Sequence, residues 1–263
     1  MMKKRSLINF ILTLSLCSVT TYAFDFGLGS DDPQKELHWS YEGDRGVENW
    51  GDLHPSYLDC KLGKRQSPVD IKQESSSYLA SDAGIYVNYH DEELNINNNG
   101  HTIAVNFADT NEALINGKKY KLKQVHFHSP SEHTIDAKSF PMEAHFVHKA
   151  DDGELAVLGV MIQEGNKNSS LQKIWKNMPV EEGGHNISNK VKINATDLLP
   201  SSKDHYHYLG SLTTPPCTQI VEWYILKEPI SISNKQLERF HKLYNANARP
   251  VQELNDRVIL EKI

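Results

Sequence analysis

Residues 124–148, QVHFHSPSEHTIDAKSFPMEAHFVH, hold five histidines in a segment whose apolar residues alternate as a β-strand's do. Neutral imidazole is a common metal ligand, so the first question is which of these rings share a face. On a strand, residues i and i+2 point the same way. His126 and His128 therefore project from one face with Gln124, while Val125 and Phe127 point behind. A helix would set i and i+2 about 200° apart, and the flanking Val, Phe and Ile favour strand. In MEAHFVHKA, Glu143, His145 and Val147 take one face and Ala144, Phe146 and His148 the other. If the two strands pair, His126, His128 and His145 converge and His148 points away. Three imidazoles with a fourth position open form a catalytic zinc arrangement, whereas a structural site is closed by four ligands. Such ligands need acceptors for their second ring nitrogen, and Gln124 and Glu143 stand on the faces where those are wanted. His133, beside Glu132 in SPSEHT, reads as structural.

A second cluster is YLGSLTTPPCTQIVEW. Gly210, Pro215 and Pro216 make a rigid loop that carries Thr213 and Thr214 at its tip and ends on Cys217. Two prolines and a tether on one loop imply that its hydroxyls are held in place.

The elements that must position these groups are mainly strands. IYVNY, LNINNNGHTIAVNF, EALINGKKYKLKQVHFH, MEAHFVHKADDGELAVLGVMIQEG and QIVEWYILKEPISIS are punctuated by turn residues. Asn116-Gly117 is a hairpin signal, and Asp152-Gly153 another. Helices are expected only around Leu171–Asn177 and in SNKQLERFHKLYN, where Ser233 or Asn234 caps a face of Leu237, Phe240 and Leu243. This reads as a mainly β (α+β) single domain with one large, mostly antiparallel sheet and short peripheral helices.

The chain has 263 residues, 38% apolar and 24% charged, the profile of a globular protein with ample core. Residues 1–23 read as a cleaved signal peptide: basic MMKKRS, apolar LINFILTLSLCSV, then TYA with cleavage after Ala23. Residues 24–35 read as a flexible N-terminal segment and 36–263 as the domain. Loss of Lys3, Lys4 and Arg5 lowers the net charge by three, from −6 to −9. That acidity argues against nucleic acid and anionic membranes as partners of the mature form. Cys17 leaves with the leader, and the pair Cys60 and Cys217 in an exported chain reads as a disulfide. Location is then periplasmic or secreted. Three Asn-x-Ser/Thr sequons, at Asn168, Asn186 and Asn194, do not choose between a bacterial and a eukaryotic export route.

QVHFHSPSEHT, EAHFVH, LAVLGV, SLTTPPC, RQSPVDI, NNGHT and NARPVQEL, in that family's order, resemble the α-class carbonic anhydrases of the bacterial, exported type. The resemblance spans about residues 36–263 and implies a twisted, ten-stranded, mostly antiparallel sheet. It also implies reversible hydration of carbon dioxide to bicarbonate and a proton by a zinc-bound hydroxide, with a histidine proton shuttle, which would make the protein a lyase.

Carried over residue by residue, His126, His128 and His145 resemble the Zn2+ ligands, and Gln124 and Glu143 their hydrogen-bonding partners. Thr213 resembles the hydroxyl that takes a hydrogen bond from the nucleophile and passes its own proton to Glu132. Thr214 resembles a residue of the substrate and water site. Val147, Val157, Leu212, Val221 and Trp223 resemble the apolar wall around CO2. His101 resembles the shuttle, expected mobile and wet, with Tyr41 and Asn99 ordering water between it and zinc. Ala104 stands where many relatives carry Asn or Gln, which removes a polar group from that water network.

Two other readings differ in kind. One is a carbonic-anhydrase-like binding module without turnover, a state that usually follows loss of a zinc-binding histidine; all three are present here. The other is ester hydrolysis by the same unselective nucleophile. The oligomeric state is open, a homodimer included.

Overall fold

The computed structural model describes residues 38–78 and 83–262. The expected signal peptide and the 24–35 segment lie outside the described residues. The strands are β1 (Asp70–Ile71), β2 (Ser77–Tyr78), β3 (Ile85–Asn88), β4 (Glu92–Asn98), β5 (Ile103–Asn106), β6 (Glu112–Ile115) and β7 (Lys118–His128). They continue with β8 (Thr134–Ile135), β9 (Met142–Lys149), β10 (Leu155–Glu164), β11 (His185–Ile193), β12 (His205–Gly210), β13 (Val221–Ile232) and β14 (Leu260–Lys262).

Ten strands form the path β11-β4-β5-β7-β9-β10-β13-β12-β14-β2. The sheet as a whole has twelve, because β6 pairs with β7 beyond the end of β5 and carries β3 on its outer side. Along the path only β10·β13 and β14·β2 are parallel. β1 and β8 form a separate two-stranded ribbon.

Local sequence explains the parts that matter. β4 alternates, burying Leu94, Ile96 and Asn98 and leaving Asn95 and Asn97 half-buried on the opposite face. Central β10 is buried on both faces from Leu155 to Ile162, so it reads as a continuous apolar run rather than an alternating one. Asn116 and Gly117 both take positive φ, 47° and 80°, in the two-residue turn between β6 and β7. The link from β9 to β10 is longer, and only Gly153 of its Asp-Gly pair is left-handed, at φ 93°.

One face of the sheet packs on the helices Ser169–Asn177 and Asn234–His241. Phe127 meets Trp175 at 4.8 Å between ring centroids, and Trp175 meets Phe240 at 5.3 Å. Asn168 caps the first of these helices, its side chain accepting from the Ser170 and Leu171 N–H groups, so the helix starts two residues before the apolar stripe suggests. Ser233 caps the second, its N–H donating to the Gln236 side chain. The other face of the sheet carries the histidines.

Candidate active site

β7 and β9 pair antiparallel with His126 opposite His145, so period-two alternation brings His126, His128 and His145 to one face. Ring centroids are 5.0 Å apart for His126–His128, 5.1 Å for His126–His145 and 4.6 Å for His128–His145. One nitrogen from each ring lies within 4.8 Å of the others.

The second nitrogen of every ring is committed. His126 Nδ1 donates to Gln124 Oε1 at 3.1 Å, His128 Nδ1 to the Asn247 carbonyl at 2.6 Å, and His145 Nε2 to Glu143 Oε1 at 2.8 Å. This leaves Nε2 of His126, Nε2 of His128 and Nδ1 of His145 for a ligand. Burial lowers the pKa of all three, to about 4 for His128 and well below the usual range for His126, which its two histidine neighbours depress further. The rings are neutral at physiological pH, the state metal binding requires.

Glu143 is saturated. Its Oε1 also accepts from His133 Nδ1 at 2.8 Å, and its Oε2 from the Glu132 and His133 N–H groups at 2.9 and 2.8 Å. Burial alone would raise its pKa, but the His133 and His145 imidazoles outweigh that and hold it well below the carboxylate range. Gly159, opposite His145 on β10, makes room: a Cβ there would come within 2.9 Å of Glu143 Oε1 and 2.6 Å of Ile225 Cδ1.

His133 also lies 2.6 Å from the Tyr208 hydroxyl through Nε2, so both its nitrogens are used and it braces Glu143. His148 faces away from the site, buried and 2.6 Å from the Tyr89 hydroxyl.

Glu132 borders two of the three nitrogens. Its Oε2 lies 3.5 Å from His128 Nε2 and 3.8 Å from His145 Nδ1, and its Oε1 accepts from the Arg249 N–H at 2.8 Å. Burial raises its pKa to about 7, against the lowering effects of His145, the Arg249 N–H and the Thr213 hydroxyl. His128 Nε2 and Glu132 Oε2 are both buried and lack a well-formed hydrogen bond. Buried polar atoms rarely stay unpartnered, so an orphaned imidazole nitrogen aimed into a cluster of two more fits a metal ion.

Toward β10 and β13 this face is apolar. Val147 on β9 lies opposite Val157 on β10, and Val157 opposite Trp223 on β13, with Val221 two residues before Trp223. All four are buried, and Leu212, in the loop after β12, is half-buried. Trp223 packs 4.8 Å from His145 and donates from its indole to the Ser211 carbonyl at 2.9 Å. Thr213 is buried and Thr214 half-buried. The Thr214 carbonyl accepts from the Cys217 N–H at 2.9 Å, and Cys217 is disulfide-bonded to Cys60, 157 residues away.

The polar approach differs from the expectation. His101 is not a free, wet side chain but lies flat on Trp39, with centroids 3.7 Å apart and planes 8° from parallel. Burial, and then nearby His38, lower its pKa to about 4. Asn99 is exposed, and its Oδ1 accepts from the His101 and Thr102 N–H groups at 3.0 and 2.8 Å, so this atom builds the turn. Tyr41 is half-buried, and burial, followed by Glu132, raises its pKa strongly. Ala104 is buried opposite His126.

Two residues inside NARPVQEL received no role from the sequence. Asn247 holds His128 through its carbonyl, and its side chain bonds the Ser129 N–H and the carbonyls of His101 and Phe127. Arg249 sends its guanidinium to Gln66 Oε1 and to the carbonyls of Ser67 and Cys60, tying Glu132 to the disulfide. The only sequence signal for either is a polar residue in a segment otherwise without a face.

Residues 45–263 match the family model for eukaryotic-type carbonic anhydrases. A carbonic anhydrase of Neisseria gonorrhoeae is 44% identical over 85% of this chain and 88% of its own length. One of Nostoc sp. is 36% identical over 96% and 97%. Among solved structures, the α-carbonic anhydrase of Thermovibrio ammonificans, in complex with the inhibitor sulfanilamide, has TM-score 0.82 and 45% identity, covering 85% of this chain and 98% of its own. The chain belongs to the eukaryotic-type, or α-class, carbonic anhydrase family.

Proposed function

We propose that the protein hydrates carbon dioxide reversibly to bicarbonate and a proton, using Zn2+ held by Nε2 of His126, Nε2 of His128 and Nδ1 of His145. The observation that carries this reading is three neutral imidazoles whose remaining nitrogens are all committed to other acceptors. When bound, Zn2+ supplies a nucleophile at neutral pH by acidifying its water, as is well known for carbonic anhydrases.

The chain's own groups do the rest. Gln124, the Asn247 carbonyl and Glu143 fix the tautomer and angle of each ring. Thr213, with its proton directed to Glu132, has only lone pairs to offer a reactant O–H, and this orients that oxygen toward carbon. Val147, Val157, Leu212, Val221 and Trp223 offer no hydrogen bonds, which suits an apolar linear substrate and disfavours a charged product. Thr214 borders this space. His101 carries the released proton outward once its ring leaves Trp39, with Tyr41 and Asn99 near the path. The partners are then the small molecules CO2 and bicarbonate.

We further infer export to the periplasm or beyond, with residues 1–23 removed as a signal peptide and residues 36–263 forming the catalytic domain. The disulfide supports an oxidising compartment. Among the described residues no helix is long and apolar enough to cross a membrane. Metal analysis of the purified mature chain tests the site: one zinc per chain is expected, and zinc-binding by His145→Ala equal to that of wild type would contradict it.

A further inference from the structure

A single transverse row runs across the sheet. His185 on β11 is opposite Asn97 on β4, Asn97 is opposite Ala104 on β5, Ala104 is opposite His126 on β7, and His126 is opposite His145 on β9. Directly opposed residues of antiparallel strands share a face, so His185 stands on the site's face. Three strand spacings place it about 14 Å from His126.

Between the two lies a strip of carboxamides. Gln124, which holds His126, is opposite Asn106 on β5. Asn106 Nδ2 donates to Asn97 Oδ1 at 3.1 Å and to Asn95 Oδ1 at 3.3 Å. Asn95 Oδ1 also accepts from His185 Nε2 at 2.7 Å. An amide oxygen can only accept, so Nε2 carries the proton of the neutral ring and Nδ1 is left as a base. His185 is exposed. Exposed Glu181 and Glu182 precede it in the loop before β11, and Glu93 and Lys192, paired at 3.6 Å, lie farther along the same pair of strands.

We propose that His185 is a second proton-exchange residue, which takes protons at Nδ1 from water ordered over Asn106, Asn97 and Asn95 and releases them to solvent. The proton released by hydration enters this water: the water beside the ring gives one O–H proton to Nδ1 as it takes another from the water behind it, so no hydroxide is left, and buffer or bulk water then deprotonates the charged imidazolium. His101, packed on Trp39, is poorly placed to be the sole exit in this arrangement. The inference rests on the proposed CO2 hydration.

The test compares wild type, H101A, H185A and H101A/H185A, all zinc-loaded and checked for unchanged melting, by stopped-flow CO2 hydration in weak buffer. The double variant should turn over about tenfold more slowly than H101A, and imidazole should restore it to the H101A level. A double variant equal to H101A in weak buffer, or one that imidazole does not restore, overturns the proposal while wild-type activity stands. Absence of activity in wild type would instead refute the hydration reading. Independently, nitrogen NMR of the imidazoles should show neutral His185 as the Nε2–H tautomer in wild type and a mixture in N95L. A wild-type Nδ1–H tautomer overturns the assignment.

Discussion

His145 and Glu143 lie two residues apart on one face of β9, and the imidazole donates from Nε2 to Oε1 at 2.8 Å. This bond turns Nδ1 of His145 toward the cluster, whereas His126 and His128 present Nε2. Glu143 accepts four hydrogen bonds in all, so an amide at this position would set an NH2 group against a donor. Glu143→Gln should weaken zinc binding by about 10–100-fold. Competition against a chromophoric chelator measures this, and an unchanged Kd would show that Glu143 does not orient the ring.

His101 provides a separate expectation. On Trp39 its pKa is lowered to about 4, mainly by burial. Trp39→Ala exposes the ring, so its pKa should rise toward the ordinary 6.5, read by proton NMR titration. His101→Ala should keep its zinc but slow turnover in weak buffer, with rescue by imidazole. A pKa that does not move in the tryptophan variant would deny that stacking controls this histidine.

The period-two pattern of HFH and EAHFV, with no other information, puts three histidines on one face, because register in a half-buried sheet leaves alternating side chains no other choice. It also sends His148 to the core side. The third fixing contact is invisible in this way: Asn247 meets His128 across 119 residues, from a loop with no periodicity. Glu132 and Thr213 emerge as a pair only through family resemblance, since neither sits on a patterned strand. The packing of His101 is not legible locally: Gly100 and its asparagines mark a turn correctly, while the surface that covers the ring, Trp39, lies 62 residues earlier. The ten-strand expectation describes the main path but omits the β3–β6 pair, whose attachment beside β5 depends on the length of β7.

His148 contributes to the pH dependence of the fold from outside the site. Its pKa falls from 6.5 to about 4 because burial disfavours the cation, with only partial relief from the Ala156 carbonyl. Above about pH 6.5 both folded and unfolded rings are neutral and the group is silent. As pH falls below that, the unfolded ring takes a proton that the folded one refuses, and stability drops until about pH 4. At pH 5 the loss from this residue is about 2 kcal/mol, so His148→Gln should flatten the fall in urea stability between pH 7 and pH 5 by that amount. Equal slopes for the two proteins would mean that His148 is protonated in the fold.

Cys60 and Cys217 close a loop of 157 residues in sequence. On the chain-entropy model this bond stabilises by about 5 kcal/mol. Cys60→Ser should therefore lower Tm by well over ten degrees in calorimetry of the oxidised protein, and an unchanged Tm would show that the bond does not constrain the unfolded chain.

Stopped-flow hydration of CO2 by the purified mature chain, before and after chelation at mildly alkaline pH, tests the central claim most directly. The account predicts rapid hydration that chelator abolishes and added Zn2+ restores. Hydration no faster than the uncatalysed rate in zinc-loaded protein, or hydration indifferent to removal of the metal, would contradict it.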